Sequence, residues 1–458
     1  MLLTSEKAHT IYAAIKDEPI IDYHTHLPAV EILNDHRFKN LWELWLKHDH
    51  YKWRLMRGCG IAENLITGDA SPKEKFFAFA KILPLAIGNP VYQWVHMELE
   101  AVFGIKFLLN EKTSAEVWET ANKQLSTDIS VGSLLKQFNV SFIGTTDDPA
   151  HCLQTHLDLA AQDYPTTVLP TFRPDRYHSV HQPEKFCDAV KELSERVSQP
   201  ITSFEQLIGA LKERHDAFHA AGCLMSDHGL DYCPTGHASI SELNLIMQET
   251  LAGKASSIKE WEQFAGEIMR LVARWNTEKN WTMQLHLGPQ RSVNTRLTKI
   301  TGPDSGFDTM GSWPQTAPLI SFLDELNNTN ELPKTIVYNL NSIESEPICA
   351  ALQKFQEDPI AGKLQYGPAW WLLDHVPGIK KQLEILTSQT ALGTHIGMLT
   401  DSRSFTSFVR HDYYRRILCS FLADKALSGE MPDNLALLTA TAKNISSLNA
   451  SNYIQSAQ

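Results

Sequence analysis

The chain has 458 residues, 43% hydrophobic and 21% charged, with a formal net charge of −12 at pH 7. This is the balance of a globular protein with ample core material, and it argues against nucleic acid or an anionic membrane surface as a partner. No run of about 18 uninterrupted apolar residues is present to span a bilayer, and any anionic substrate needs a local basic pocket working against the overall field.

The first β-like run, IIDYHTH (20–26), ends on His24 and His26. On a strand both would face one way, in a row with Asp22. The pattern alone is weak: 19 histidines make about one His-x-His by chance, and a second one, His48-Asp49-His50, does occur. Residues 27–139 separate this run from the next and are aromatic and largely helical. They read as a helical subdomain inserted near a barrel mouth, without a Pro/Ser/Gly linker. Within it, HDHYKWRLMR carries His50 and Tyr51. A packed aromatic helix face is the plain reading, and a proton relay is the alternative.

Seven further β-like runs follow. VSFIGTTDD (140–148) comes first, then TTVLPTFRPD (166–175), whose Arg173 fits a carboxylate-bearing substrate or a salt bridge with Asp175. GCLMSDHG (222–229) holds Asp227 and His228, either an acid/base pair or an Asp–Gly turn. WTMQLHLG (281–288) sets His286 in an apolar run. The glycine-rich stretch 302–311 lacks a Walker lysine and reads as a lid or substrate-contact loop. KTIVYNLN (334–341) precedes GKLQYGPAWW (362–371), where strand alternation lets only one of Trp370 and Trp371 face a site. HIGMLTDSRS (395–404) ends on Asp401 and Arg403.

Between these runs lie charged, periodic stretches that read as helices, such as Ser203–Ala220, Ser239–Trp275 and Gly378–Gln389. Eight strands alternating with helices predict one α/β domain over 1–458, a closed (β/α)8 TIM-type barrel. An open doubly wound sheet is the alternative, but no Gly-rich phosphate turn follows the first run. Closure would make the eighth strand a neighbour of the first. His24, His26 and Asp401 then become candidate metal ligands, with a position left for water or substrate. Zinc or manganese suits such an N/O set. The seven cysteines are odd in number, scattered, and form no C-x-x-C. Together with a charged N-terminus that has no signal-like apolar core, they point to reduced thiols and a cytoplasmic protein.

Taken in order, DYHTHL, DHYKWRLMR, TFRPD, SDHG, QLHLG, GPDSGFDTMG, LPKTIVYNLN, GMLTDSRSF and RHDYYRRILC resemble the blocks of the uronate (glucuronate) isomerase family of the amidohydrolase superfamily, over nearly the whole chain. The resemblance implies interconversion of D-glucuronate with D-fructuronate, and of D-galacturonate with D-tagaturonate, in hexuronate catabolism. It implies metal binding by His24, His26 and Asp401, a carboxylate partner in Arg173, and a site lined by His50, Tyr51, Asp227, His228, His286, Arg291, Trp370 and Arg403. The sequence departs from the family pattern at Ser292-Val293, Ser312 and Pro368-Ala369, which bears on sugar preference.

The chemistry expected is transfer of the C2 proton to C1 through a cis-enediol, by Asp401 or Tyr51, with Asp227 aiding ring opening; a hydride shift would use the same ligands. The rival functions are a metal-dependent hydrolase (lactonase or deaminase) on the same barrel and a non-catalytic sugar-acid-binding protein. The oligomeric state is open, a homo-oligomer included.

Overall fold

A computed structural model describes residues 2–162 and 164–455. Nine strands are formed: β1 (Ile20–Asp22), β2 (Val140–Gly144), β3 (Thr167–Leu169), β4 (Met225–Leu230), β5 (Thr282–Leu287), β6 (Pro289–Gln290), β7 (Thr309–Met310), β8 (Lys334–Asn339) and β9 (Leu364–Tyr366). Two parallel sheets run in the orders β1-β2-β3 and β4-β5-β8-β9, while β6 and β7 form a separate antiparallel ribbon.

Phe172 joins the two sheets, bridging to Asp147 on one side and Ser226 on the other. The remaining gap, between β9 and β1, is filled by residues 396–402. There the Asp401 N–H donates to the His24 carbonyl (3.2 Å) and the His26 N–H donates to the Ser402 carbonyl (2.9 Å). The α/β barrel therefore has its strands in chain order, with all β-strand ends that carry polar residues on one rim. Every residue of β5 and β8 is buried, as befits strands covered by side chains inside and by helices outside.

The predicted eighth strand is not a regular one. Its backbone leaves extended geometry at Gly397 (φ +73°) and Asp401 (φ +48°), so no ladder propagates. At Gly397 an added Cβ would sit 2.0 Å from the Ile445 carbonyl, which restricts this turn to glycine. Asp22 is spent on closure: Thr400 donates to it from both N–H and hydroxyl, at 2.9 and 2.6 Å.

Helices cover the outside, and the predicted ones form with adjusted ends. Ser203 caps Phe204–Ala220, and the third expected helix starts two residues earlier, as Val376–Gln389. The stretch read as one helix over 239–275 is two, Ile240–Leu251 and Ile258–Glu278. Gly253 (φ +90°) stops the first, and a Ser257–Glu260 capping box starts the second. In the second, Trp261, Phe264, Ala265, Ile268, Met269, Val272 and Trp275 repeat at helical spacing and are buried.

Residues 27–139 contain helices and no strand among the described elements, from Ala29–Leu33 through His50–Gly58 and Pro90–Phe103 to Val131–Gln137. Their apolar faces share one core with the last long helix, Val409–Leu427. The Trp94 and Tyr413 rings meet edge to face at 6.0 Å.

Candidate active site

The strand rim gathers seven of the side chains singled out from sequence. Asp401 Oδ1 lies 3.3 Å from His24 Nε2 and 3.2 Å from His26 Nε2. On the far side of His24, Asp227 Oδ1 lies 2.7 Å from His286 Nδ1, and its Oδ2 lies 3.0 Å from an Arg173 terminal nitrogen and 3.8 Å from His24 Nδ1. The Trp370 indole donates to Asp401 Oδ2 at 2.7 Å and meets the His286 ring at 4.6 Å.

Two sets of potential metal-binding groups result, His24–His26–Asp401 and His24–Asp227–His286, each with its donor atoms within 4.8 Å of one another. Whether these groups suit a cation is answered by their hydrogen bonding. His24 Nδ1 and His286 Nε2 are buried without a hydrogen-bond partner, and the buried Asp227 oxygens are met by ion-pair contacts from His286 and Arg173. Buried polar atoms are normally satisfied, and an ion among imidazoles and carboxylates would satisfy these. The residues fit a divalent cation.

Electrostatics favour ionised carboxylates here. Burial alone would raise the pKa of Asp401, but hydrogen bonds and charge from His24 and His26 outweigh it and hold the group well below the usual range. For Asp227, burial is likewise outweighed, first by Arg173 and then by His286 and His24. Burial pushes the His286 imidazole down to about 4, keeping it neutral at pH 7. The His24 pKa is raised instead, because Asp227 and Asp401 together overcome its burial.

The helical segment supplies the next layer. Asp49 caps His50–Gly58, so His50 and Tyr51 sit in its first turn. Their rings stack at 5.2 Å, and His50 meets Trp371 at 5.8 Å. The Tyr51 hydroxyl donates to Asp374 Oδ2 at 3.1 Å, and Arg410 lies 3.6 Å from the same oxygen while covering the Tyr51 ring at 4.9 Å. Asp374 and Arg410 escaped the sequence reading. Asp374 follows the Trp370-Trp371 pair by only a few residues, so proximity to that pair was the available signal.

Arg403 donates to Asp304 at 3.2 Å. Arg291 pairs with Asp308 at 3.0 Å and lies over the Trp371 ring at 5.0 Å. Both contacts tie in the glycine-rich stretch 302–311, whose Ser305 carbonyl also accepts from Arg57 of the helical segment.

Three expectations need correction. His228 does not join the cluster: adjacent to Asp227 on β4, it points to the opposite face. There it is fully buried and bonded to Ser226 Oγ at 2.9 Å, which accepts from Asn276 at 2.7 Å. The Asp–Gly turn reading also fails, since β4 continues through Leu230. Trp370 and Trp371 both face the rim, because β9 ends at Tyr366 and Trp371 takes a left-handed φ of 51°; strand alternation does not govern them. Arg173 commits its Nε to Asp175 at 2.8 Å and one terminal nitrogen to Asp227, so the salt bridge with Asp175 is formed.

The glucuronate isomerase family model matches residues 1–454. A uronate isomerase of Caldanaerobacter subterraneus subsp. tengcongensis is 43% identical over 99% of this chain and 98% of its own length. One from Opitutus terrae is 41% identical over 99% and 96%. The crystal structure of a Thermotoga maritima uronate isomerase superposes with a TM-score of 0.93 at 31% identity, covering 99% and 98% of the two chains. That of a Caulobacter crescentus glucuronate isomerase gives 0.91 at 25%, covering 100% and 96%. Family match, identity and superposition all run from one end of the sequence to the other: the chain belongs to the glucuronate isomerase family.

Proposed function

We propose that the chain interconverts D-glucuronate with D-fructuronate, and D-galacturonate with D-tagaturonate, at the rim where His24, His26 and Asp401 meet. The observation that carries this reading is that these three side chains converge beside buried, unsatisfied polar atoms and a guanidinium, Arg173. An isomerase of acidic sugars uses a basic group for the substrate carboxylate, and a cation-binding centre can stabilise the enediol charge. His24, His26 and Asp401 would hold the divalent cation, zinc or manganese by their N/O character. When bound, that cation would supply charge stabilisation for the oxygens of the enediol.

The chain's own groups divide the remaining work. Arg173, beside Asp227, orients the substrate carboxylate through the edge not committed to Asp175 and Asp227. Asp227, ionised and fully buried, accepts the C1 hydroxyl proton as the C1–O5 bond breaks and passes it to O5, with the neutral His286 at its side. Asp401, kept ionised and pinned by Trp370, accepts the C2 proton and returns it to C1. Tyr51, whose hydroxyl is pushed well above its usual pKa by burial and by Asp374, stays protonated and serves as a hydrogen-bond donor rather than a base. His50, Arg403, Arg291 and Trp370 line the walls.

In this reading residues 27–139 act as a cap on a single barrel domain, contributing His50 and Tyr51. No described helix is long and apolar enough to cross a membrane, and a cytoplasmic sugar-acid enzyme is the setting proposed.

The test is a coupled assay with D-glucuronate and D-galacturonate, the ketose read by a reductase, with and without chelator. Turnover abolished by chelation, by His24→Ala and by Asp401→Asn is expected. Bound metal without ketose formation, but with release of acid or ammonia from lactones or amines, would turn the assignment to a hydrolase.

A further inference from the structure

A cavity of about 770 Å³ adjoins the rim and shares three walls with it. One is Arg173, which lines the cavity and also contacts Asp227. Another is Asp304, which lines it and pairs with Arg403. The third is Arg291, which lies over the Trp371 ring at 5.0 Å. Its volume lies in the range of roughly 300–1,000 Å³ typical of small-molecule pockets.

The lining is built in the manner of a ligand site. His178 is only 4% exposed, and neither ring nitrogen makes a hydrogen bond; its nearest carboxylate, Asp175, is 3.6 Å away. Trp261 Nε1 and Ser256 Oγ are also buried without partners. Tyr232, half-buried and edge to face with the buried Trp261 at 5.4 Å, gives the cavity an aromatic surface against which a sugar ring packs. The charges are unequal in their commitments. Arg176 is held bidentately by Glu192, and Arg291 pairs with Asp308 through one terminal nitrogen. Lys185, also in the lining, has neither a hydrogen bond nor an ion pair among the described residues.

We propose that this cavity is a second subsite, holding a uronic acid joined to O4 of the reacting uronate. The chain would thereby isomerise the reducing end of a 4-linked diuronide as well as the free sugar. The inference rests on the function proposed above. Isomerisation requires a free C1, and an O5 that the ring can release, which rules out extension through either position. O4 takes no part. It lies in the C4–C6 half of the substrate, the half whose carboxylate is directed to Arg173 at the cavity wall. The step balances without a co-reactant: the C2–H and O2–H bonds break, C1–H and O1–H bonds form, the carbonyl passes from C1 to C2, and the glycosidic bond is untouched. Lys185 meets the distal carboxylate, and Tyr232 meets the ring face.

The experiment offers the full-length, metal-loaded protein D-galacturonate and 4-linked digalacturonate in parallel, with the ketose followed by NMR. Both are expected to turn over. Lys185→Ala should lower kcat/KM for the diuronide about tenfold, the loss of one charge-assisted hydrogen bond, and leave D-galacturonate unchanged. A methyl ester on the distal carboxylate should reproduce that loss in the unaltered protein, and Tyr232→Ala should weaken the diuronide selectively. Turnover of the free acid alone overturns the subsite, as does digalacturonate acting only as a competitive inhibitor, or equal losses on both substrates in Lys185→Ala. Failure on both substrates would instead remove the isomerase reading on which the subsite depends.

Discussion

The indole N–H of Trp370 donates to Asp401 Oδ2 at 2.7 Å, while the other oxygen of the same carboxylate stands 3.3 Å from His24 and 3.2 Å from His26. One oxygen is thus pinned and the other aimed. Asp401 sits at a positive φ, so its orientation depends on this contact and on the backbone bond to His24. Trp370→Phe keeps the ring and removes the donor. Affinity for the divalent cation, kcat, or both should fall by about 10–100-fold, as when other outer contacts of metal ligands are lost. Metal titration calorimetry and initial rates measure this, and unchanged values of both would reduce Trp370 to a packing residue.

Arg173 carries a double burden. It is the proposed carboxylate partner, and it neutralises Asp227, which is fully buried. Arg173→Met should therefore raise KM for uronates far more than for neutral aldoses. It should also destabilise the fold by about 3–5 kcal/mol, the cost of leaving a buried charge unpaired. Arg173→Lys separates the two effects: it keeps the charge and much of the stability but loses the fork, so KM for uronates should still rise. Equal KM changes for acidic and neutral sugars would remove Arg173 from carboxylate recognition.

The correction at His228 yields a prediction of the opposite kind. Its partners are Ser226 and, through it, Asn276, all on the helix-facing side of β4. His228→Ala should cost stability, about 1–3 kcal/mol for the lost buried hydrogen bond with a further term for the cavity, and leave KM for uronates unchanged. Denaturant melts paired with steady-state kinetics decide it, and a selective rise in KM would return His228 to the site.

How far the sequence could reach follows from which contacts are local. His24 and His26 follow one strand end, so spacing brought them to notice, but only the barrel context set them apart from a chance His-x-His pair. Asp401 became legible only once eight β-like runs suggested closure, because nothing local links residues almost 380 positions apart. Strand periodicity placed β4 and β5 well but could not assign faces for His228, since a run ending in Asp-His-Gly is equally readable as a turn. It misjudged the two tryptophans for a related reason: β9 stops early, and a left-handed residue, Trp371, re-aims the chain. The Tyr51–Asp374–Arg410 contacts join three distant segments through side chains alone, and no periodicity encodes them. The 27–139 stretch announced its helices by periodicity, but His50 and Tyr51 stood out from it only through the block DHYKWRLMR shared with the family.

That last contact gives the sharpest pH dependence. Burial raises the Asp374 carboxyl from 3.8 to about 7, only partly offset by Arg410 and the Tyr51 hydroxyl. The folded state therefore holds a proton that the unfolded state releases near pH 4, and between these values folding binds more protons than unfolding does. Stability must then fall as pH rises from about 4 to about 7, and above that range the full penalty of roughly 4 kcal/mol is present. Asp374→Asn cannot ionise and escapes the penalty. Its melting temperature should decline less than that of the unaltered protein between pH 5 and pH 8, and the two curves should converge toward low pH. Parallel curves across that span would show that Asp374 does not titrate there. Should Asp374→Asn also lower kcat while Tyr51→Phe lowers it by the same factor, and the double variant by no more, Asp374 acts through Tyr51, holding its hydroxyl at the rim. Additive losses would separate the two.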